Sequence, residues 1–272
     1  MDIKITNPDK ILFPKQKIKK IDLINYYIDI SSLMLPYIKN RPLSVIRCHE
    51  EIDEGCFFKK HLSSDKFIKK IVNGEEEYFC IDDQIGLIYQ AQLGTIEFHT
   101  WGSTLPKVEK PDFMVFDLDP DKKLSIEKLR QAVENIKSIL DELSLQSFLK
   151  TSGGKGYHIV IPFKNCKNWD KFYDFSRQIA LLTENKWQNL FTTNLKKSER
   201  KGKIFIDYLR NNRGSTCVSP YSLRARDNAP ISFPISWDNL YKISPEQINI
   251  NNYKSYLNNS WDNFFDIDQQ IR

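Results

Sequence analysis

No apolar run in this 272-residue chain approaches the ~18 residues needed to span a bilayer, and the N-terminus has no signal-peptide core. A cytoplasmic protein, not a membrane or secreted one, is expected. The five cysteines (Cys48, Cys56, Cys80, Cys166, Cys217) are odd in number and include no Cys-x-x-Cys pair. That argues for a reducing compartment without a disulfide framework. Cys48, His49, Cys56 and His61 lie close in sequence, but their spacing fits no standard zinc pattern. There is no internal repeat and no linker rich in Pro, Ser or Gly. Gly154-Lys155 lacks the spacing and the following Ser or Thr of a Walker loop.

A hydrophobic content of 40% with 28% charge describes a globular chain with ample material for a core. The net charge of +5 is only a mild hint of polyanion binding, but it is unevenly spread. Residues 196–226 carry nine Lys and Arg against Glu199 and Asp207, a local excess larger than that of the whole chain. Lys10 to Lys20 contains five lysines and reads as a basic entry loop. A helix is expected from about Asp22, capped by it, with Leu23, Tyr26, Tyr27, Ile30, Met34 and Tyr37 at helical spacing. A strand follows over Arg41–Arg47. Phe57 and Phe58 precede a basic cluster, where aromatics can stack bases while lysines hold phosphates; core packing is the expectation for at least one of them. Ile85–Gln92 reads as a short helix, and Thr95–Trp101 as a strand carrying His99. Ser125 caps a helix with apolar positions Ile126, Leu129, Val133, Ile136, Leu140 and Leu143, and a further helix over 170–187 buries Phe172, Phe175, Ile179 and Leu182. Ser244-Pro245-Glu246 opens a helical tail.

Three segments carry chemistry. In Phe113–Asp119 the strand period puts Asp117 and Asp119 on one face, opposite Met114, Phe116 and Leu118. Two like charges side by side are tolerated either in a solvated acidic turn or around a hard cation such as magnesium or manganese. In Thr151-Ser152-Gly153-Gly154-Lys155-Gly156-Tyr157-His158 the glycines let backbone amides converge on an anion, with Lys155 and His158 adding charge. Asp207 ends a later strand, and Arg224 and Arg226, two residues apart in an extended segment, share a face suited to gripping a triphosphate.

In order along the chain, Val115-Phe116-Asp117-Leu118-Asp119-Pro120, the Thr151–His158 loop, Ile206-Asp207-Tyr208 and Ser219-Pro220-Tyr221-Ser222-Leu223-Arg224-Ala225-Arg226 resemble the polymerase domain of DNA ligase D, within the archaeo-eukaryotic primase superfamily. The resemblance runs from Thr6 to about Leu240. It implies an α+β fold with a β-rich palm flanked by helices, in a single domain: residues 1–110 for DNA-end binding, 111–240 for the palm, and 241–272 as the helical tail. It implies template-directed nucleotidyl transfer in the joining of broken DNA ends, with ribonucleotides preferred. Asp117, Asp119 and Asp207 would be the catalytic and metal-binding acids for two manganese or magnesium ions, about 4 Å apart. His99, Ser152, Lys155, His158, Arg224 and Arg226 would bind the nucleotide. Lys10 and Lys20 would recognise a 5′-phosphate, Phe57 and Phe58 would stack on DNA, and Arg200 would engage the incoming end. Ku and a separate ligase are the implied partners; no Asp-Gly dipeptide, and hence no ligase nucleophile motif, occurs in this sequence, so sealing is expected from another chain or from a part outside the sequence. Two copies would meet on paired ends. The alternatives are a replicative or plasmid primase of the same superfamily, or a non-catalytic nucleic-acid-binding protein.

Overall fold

A computed structural model of the protein describes residues 3–60, 67–73, 76–164, 166, 168–257 and 261–271. β1 (Ile11–Phe13) and β2 (Ile18–Lys19) lead into α1 (Lys20–Ile38), followed by β3 (Leu43–Cys48), β4 (Cys56–Lys59), β5 (Lys69–Asn73) and β6 (Glu76–Cys80). Then come α2 (Gln84–Gln92), β7 (Thr95–Thr100), β8 (Phe113–Pro120), α3 (Ile126–Glu142), β9 (Phe148–Thr151), β10 (Tyr157–Pro162) and α4 (Trp169–Lys186). β11 (Phe191–Thr192), β12 (Ile204–Asp207), β13 (Cys217–Val218) and β14 (Pro234–Ile235) complete the strands. Two sheets dominate, a six-stranded one in the order β11-β12-β8-β10-β9-β14 and a four-stranded one in the order β13-β7-β3-β4. This is the expected α+β architecture.

β8 lies inside the larger sheet, between β12 and β10, and one face of it is wholly core: Met114, Phe116 and Leu118 are fully buried. They share one core with Leu129, Val133, Ile136 and Leu140 of α3 and with Phe172 and Ile179 of α4. Ser125 caps α3 by accepting a hydrogen bond from the Lys128 amide at 3.3 Å, as its position predicts. The α1 aromatics are core, as expected: Tyr27 donates its hydroxyl to the Ile96 carbonyl at 2.5 Å and Tyr26 to that of Tyr221 at 2.7 Å. Burying a phenol is tolerable only when its hydroxyl finds such a partner.

Several expectations fail locally. α1 begins at Lys20, and Asp22 acts from its third position by accepting the Lys19 amide at 2.8 Å. Leu143 and Leu182 are exposed; in α4 the core position is taken by Thr183, whose hydroxyl is satisfied by the Ile179 carbonyl at 2.8 Å. No α-helix starts at Ser244 among the described residues; the tail is a series of turns with one 3-10 segment, Tyr253–Tyr256. There Asn249 and Asn252 side chains bond nearby backbone and compete with a helix ladder. The tail is nonetheless anchored, since Trp261 is buried, stacks on Phe264 and donates its indole N–H to the Leu149 carbonyl.

The cysteine expectation is also corrected. Cys48 and Cys56 face each other across the β3–β4 pairing and form a disulfide, while Cys80, Cys166 and Cys217 are free. The register of the hairpin, invisible in the spacing, opposes the two side chains. Both thiols of the four-residue cluster weighed for zinc are thereby used, and His61 lies outside the described residues.

Candidate active site

The site is built from one lateral row of the larger sheet. β10 pairs with β8 so that His158 opposes Asp117, and β12 pairs with β8 so that Asp207 opposes Asp117 and Phe205 opposes Asp119. Cross-strand partners share a face, so Asp117, Asp119 and Asp207 all project to the same side of the sheet. On β9, Lys150 opposes His158 and extends the row. The close approach of the glycine loop to β8 requires a glycine: a Cβ on Gly156 would lie 1.9 Å from the Leu118 carbonyl oxygen.

Each acid has a distinct environment. Asp117 Oδ1 lies 3.1 Å from His158 Nε2. Burial would raise its pKa, but the charges of His158, Arg210 and Lys150 hold it down at about 2. Asp207 accepts from Arg210 Nε at 3.0 Å and from the Leu209 amide at 3.0 Å, yet enclosure keeps its pKa above the ordinary carboxylate value. Asp119 is pushed up to about 6, first by enclosure and then by the charges of Asp117 and Asp207. Below the row, the buried Lys150 ammonium contacts His158 Nδ1 at 2.9 Å and Ser232 Oγ at 2.5 Å, and burial lowers its pKa to about 8. Cys217 Sγ lies 3.3 Å from His158 Nδ1. Burial would raise its thiol, but His158 and Lys150 outweigh that and lower it.

Asp117, Asp119, His158, Arg210 and Cys217 border a cavity of about 310 Å³ that also takes in His99, Ser152, Gly154, Lys155, Arg224 and Arg226, while Asp207 sits beside Asp117 on the neighbouring strand, outside its lining. All six residues expected to bind nucleotide therefore meet Asp117 and Asp119 in one space. Ser152 Oγ accepts from the Gly154 and Gly156 amides at 3.1 and 3.2 Å, which pins the turn. Arg224 donates Nη1 to the Ser152 carbonyl at 2.5 Å and Nε to Glu97 at 2.9 Å. Glu97 also holds His99 Nε2 at 2.9 Å.

The other expected residues lie outside this cavity. Lys10 and Lys20 meet at the start of α1, where the Lys20 amide bonds the Lys10 carbonyl at 2.8 Å. Lys20 is buried, with Nζ on the Thr6 carbonyl at 2.8 Å; burial, then Lys10, lowers its pKa. Lys10 bonds the His49 carbonyl and pairs with Glu50 at 2.7 Å. Contrary to the expectation of a core role for one of them, Phe57 and Phe58 are both exposed, at 37% and 50%. They sit on opposite faces of β4; Phe57 lies 5.0 Å from the His49 ring and Phe58 6.1 Å from that of His99. Arg200 is tied to its own loop through the Asn194 and Leu195 carbonyls, and its guanidinium covers the Phe205 ring at 3.5 Å, on the face of Asp119.

Sequence reasoning missed Arg210, Lys150, Cys217 and Glu97. Only Glu97 carried a usable signal, its i, i+2 spacing from His99 on a strand. Among the described residues no three His, Cys, Asp or Glu side chains already converge on one metal point; Asp117 is turned to His158 and Asp207 to Arg210. The donor set nevertheless fits a hard divalent cation, being three carboxylates on one face whose mutual repulsion appears in the raised Asp119.

The sequence profile of the LigD primase-polymerase domain matches residues 19–264. The chain belongs to this family. It is 36% identical over 240 residues to the multifunctional non-homologous end joining protein LigD of Pseudomonas aeruginosa, and 31% identical over 238 residues to the bifunctional protein LigD of Bacillus subtilis. Those matches cover 86% of this chain but 28% and 39% of the two relatives, so the chain spans less than half the length of either. In three dimensions it is similar to the polymerase domain of Mycobacterium tuberculosis ligase D in complex with DNA, with a TM-score of 0.87, 26% identity and 94% coverage of both chains. The LigD primase-polymerase fold thus carries the row of acids and the basic cavity together. No helix among the described residues is long and apolar enough to cross a membrane.

Proposed function

We propose that the chain is a template-directed nucleotidyltransferase that extends or fills DNA ends during non-homologous end joining. The observation that carries this reading is the meeting of Asp117 and Asp119 with Lys155, His158, Arg224 and Arg226 around one cavity, with Asp207 opposite Asp117 on the adjacent strand. A cavity with acids on one wall and four cationic or hydrogen-bonding side chains on the other suits a nucleoside triphosphate better than a neutral metabolite.

Arg224 and Arg226 grip phosphate oxygens, helped by Lys155 and by the amides of the glycine turn. His158, braced from behind by Lys150, is fixed beside Asp117 and the phosphates. Asp117, Asp119 and Asp207 hold divalent cations, with manganese or magnesium in two positions as the finer reading. When bound, such ions activate the primer 3′-hydroxyl and stabilise the leaving pyrophosphate. Arg210 keeps Asp207 oriented and offsets part of the charge of the row. Ribonucleotides are the preferred substrates.

The exposed Phe57 and Phe58 stack on DNA, and Lys10 with Lys20 forms the 5′-phosphate contact at the downstream side of a break; Arg200 meets the incoming end. Residues 1–110 then serve end binding, apart from His99 of β7, which lines the cavity, and 111–240 carry the acids and the phosphate-binding side chains. A ligase activity that seals the filled end, Ku and a second copy of the chain are the partners on paired ends. These features favour an end-joining role over primer-independent initiation. On a primed, gapped duplex with a 5′-phosphate, manganese and single ribonucleotides, the nucleotide complementary to the template base should be added and the other three rejected. Addition independent of the template base, or none, refutes the reading.

A further inference from the structure

Glu97 is a carboxylate in an unusual place, on the four-stranded sheet, 2% exposed, and directly behind the basic wall of the cavity. Both of its oxygens are used. Oε2 accepts from His99 Nε2 and from Arg224 Nε, each at 2.9 Å, and Oε1 accepts from the Ala225 amide at 2.8 Å. Arg224 in turn reaches the Ser152 carbonyl at 2.5 Å. One side chain of the smaller sheet thus ties together a histidine on its own strand, the Arg224–Arg226 segment and, through Arg224, the glycine turn of the larger sheet.

Resting on the nucleotide-transfer reading above, we propose that Glu97 is the positioning residue of the nucleotide pocket, setting the orientation of Arg224 and His99 before substrate arrives. The geometry dictates what it fixes. Arg224 Nε is taken by Glu97 and Nη1 by Ser152, so the guanidinium plane is held on two sides and the remaining donors are left for phosphate. An ionised carboxylate facing His99 Nε2 requires an N–H there, which leaves Nδ1 as the ring nitrogen free to meet a ligand. The carboxylate is ionised despite its enclosure, because His99 and Arg224 outweigh the burial that would raise it and hold it at about 2. The hydrogen bonds of Glu97 go to His99, Arg224 and Ala225 and to none of the three acids, so its removal acts on nucleotide binding and not on the acids. Preformed orientation of this kind lowers the cost of fixing the substrate.

The test is Glu97→Gln with Glu97→Asp beside it. Gln keeps the shape but places an N–H₂ donor against groups that also donate. The nucleotide KM should rise about 10- to 100-fold, with a much smaller fall in kcat, as expected for losing charge-assisted hydrogen bonds that position substrate. Affinity for a 5′-phosphorylated DNA end should stay within about twofold, since that contact lies elsewhere. Glu97→Asp, which retains the charge, should restore part of the KM. ¹⁵N-histidine NMR of the protein without nucleotide should find His99 as the Nε2–H tautomer in the unmodified chain and a changed signal in Glu97→Gln. Unchanged KM in a folded Glu97→Gln protein overturns the proposal, as does an equal loss of kcat, nucleotide affinity and DNA affinity. If Gln does not fold, Glu97→Asp decides by the same KM criterion. Failure of the unmodified protein to extend any primer refutes the polymerase reading instead, while the NMR result still tests the orientation of His99.

Discussion

Asp119→Asn separates the cost of the acidic row from its use. In the folded protein Asp119 is moved from the ordinary 3.8 to about 6, by enclosure and by its two acidic neighbours. A displacement of that size corresponds to at most about 3 kcal/mol. The side chain is open to cavity water, and screening reduces this to about 1 kcal/mol. Because the folded-state value is raised, the native protein keeps a proton that the unfolded chain releases. The resulting stabilisation is complete below about pH 4 and is lost as the pH rises through about 6. Above that point the ionised group burdens the metal-free fold, and a neutral amide does not. Asp119→Asn should therefore melt about 2–4 °C higher than the unmodified chain at pH 7.5 in a chelator, with the gap closing by pH 4. Asp117, held at about 2, is ionised in both proteins across this pH range. Divalent cation should stabilise the unmodified chain more than the variant, and the variant should lose primer extension. Thermal melts across pH with and without manganese measure all of this. A variant that is less stable at pH 7.5, or equally more stable at pH 4, refutes the account of mutual repulsion.

Gly156→Ala should act on both fold and site. Its Cβ would meet a carbonyl oxygen at 1.9 Å, so the loop or β8 must move by more than about 1 Å, costing about 1–3 kcal/mol in a urea melt and about 100-fold in extension rate. A variant with native stability and rate would mean that the turn is not fixed by this approach. Removing the downstream 5′-phosphate should weaken DNA-end binding, and Lys10→Ala should erase that difference in a fluorescence titration; a difference that persists in the variant rules out Lys10 as the phosphate contact.

Local periodicity made the strands and helices legible because burial enforces it. Alternation in Phe113–Asp119 placed both acids on one face, and the a-to-d-like stripe of α3 named its core. The Asp207 strand end and the glycine turn were also readable. What escaped was register. That His158, Asp117 and Asp207 form one row depends on pairings between strands some 40 and 90 residues apart, which no local pattern encodes. Lys150 and Arg210 follow from that row: one is the cross-strand neighbour of His158, and the other is three residues beyond Asp207 on a tight turn. The Cys48–Cys56 pair escaped for the same reason. The tail failed differently, because its asparagines satisfy the backbone locally while Trp261 and Phe264 anchor it from afar. The roles given to Lys10, Phe58 and Arg200 came from family motifs, not from periodicity.

The central claim is that the three acids perform nucleotidyl transfer and are not needed to hold DNA. It is tested most directly by primer extension with Asp117→Ala and Asp207→Ala on a 5′-phosphorylated gapped duplex with manganese and one complementary ribonucleotide, with DNA affinity measured on the same samples. Extension should disappear in both variants while DNA binding persists. Extension at the unmodified rate in either variant would contradict the assignment.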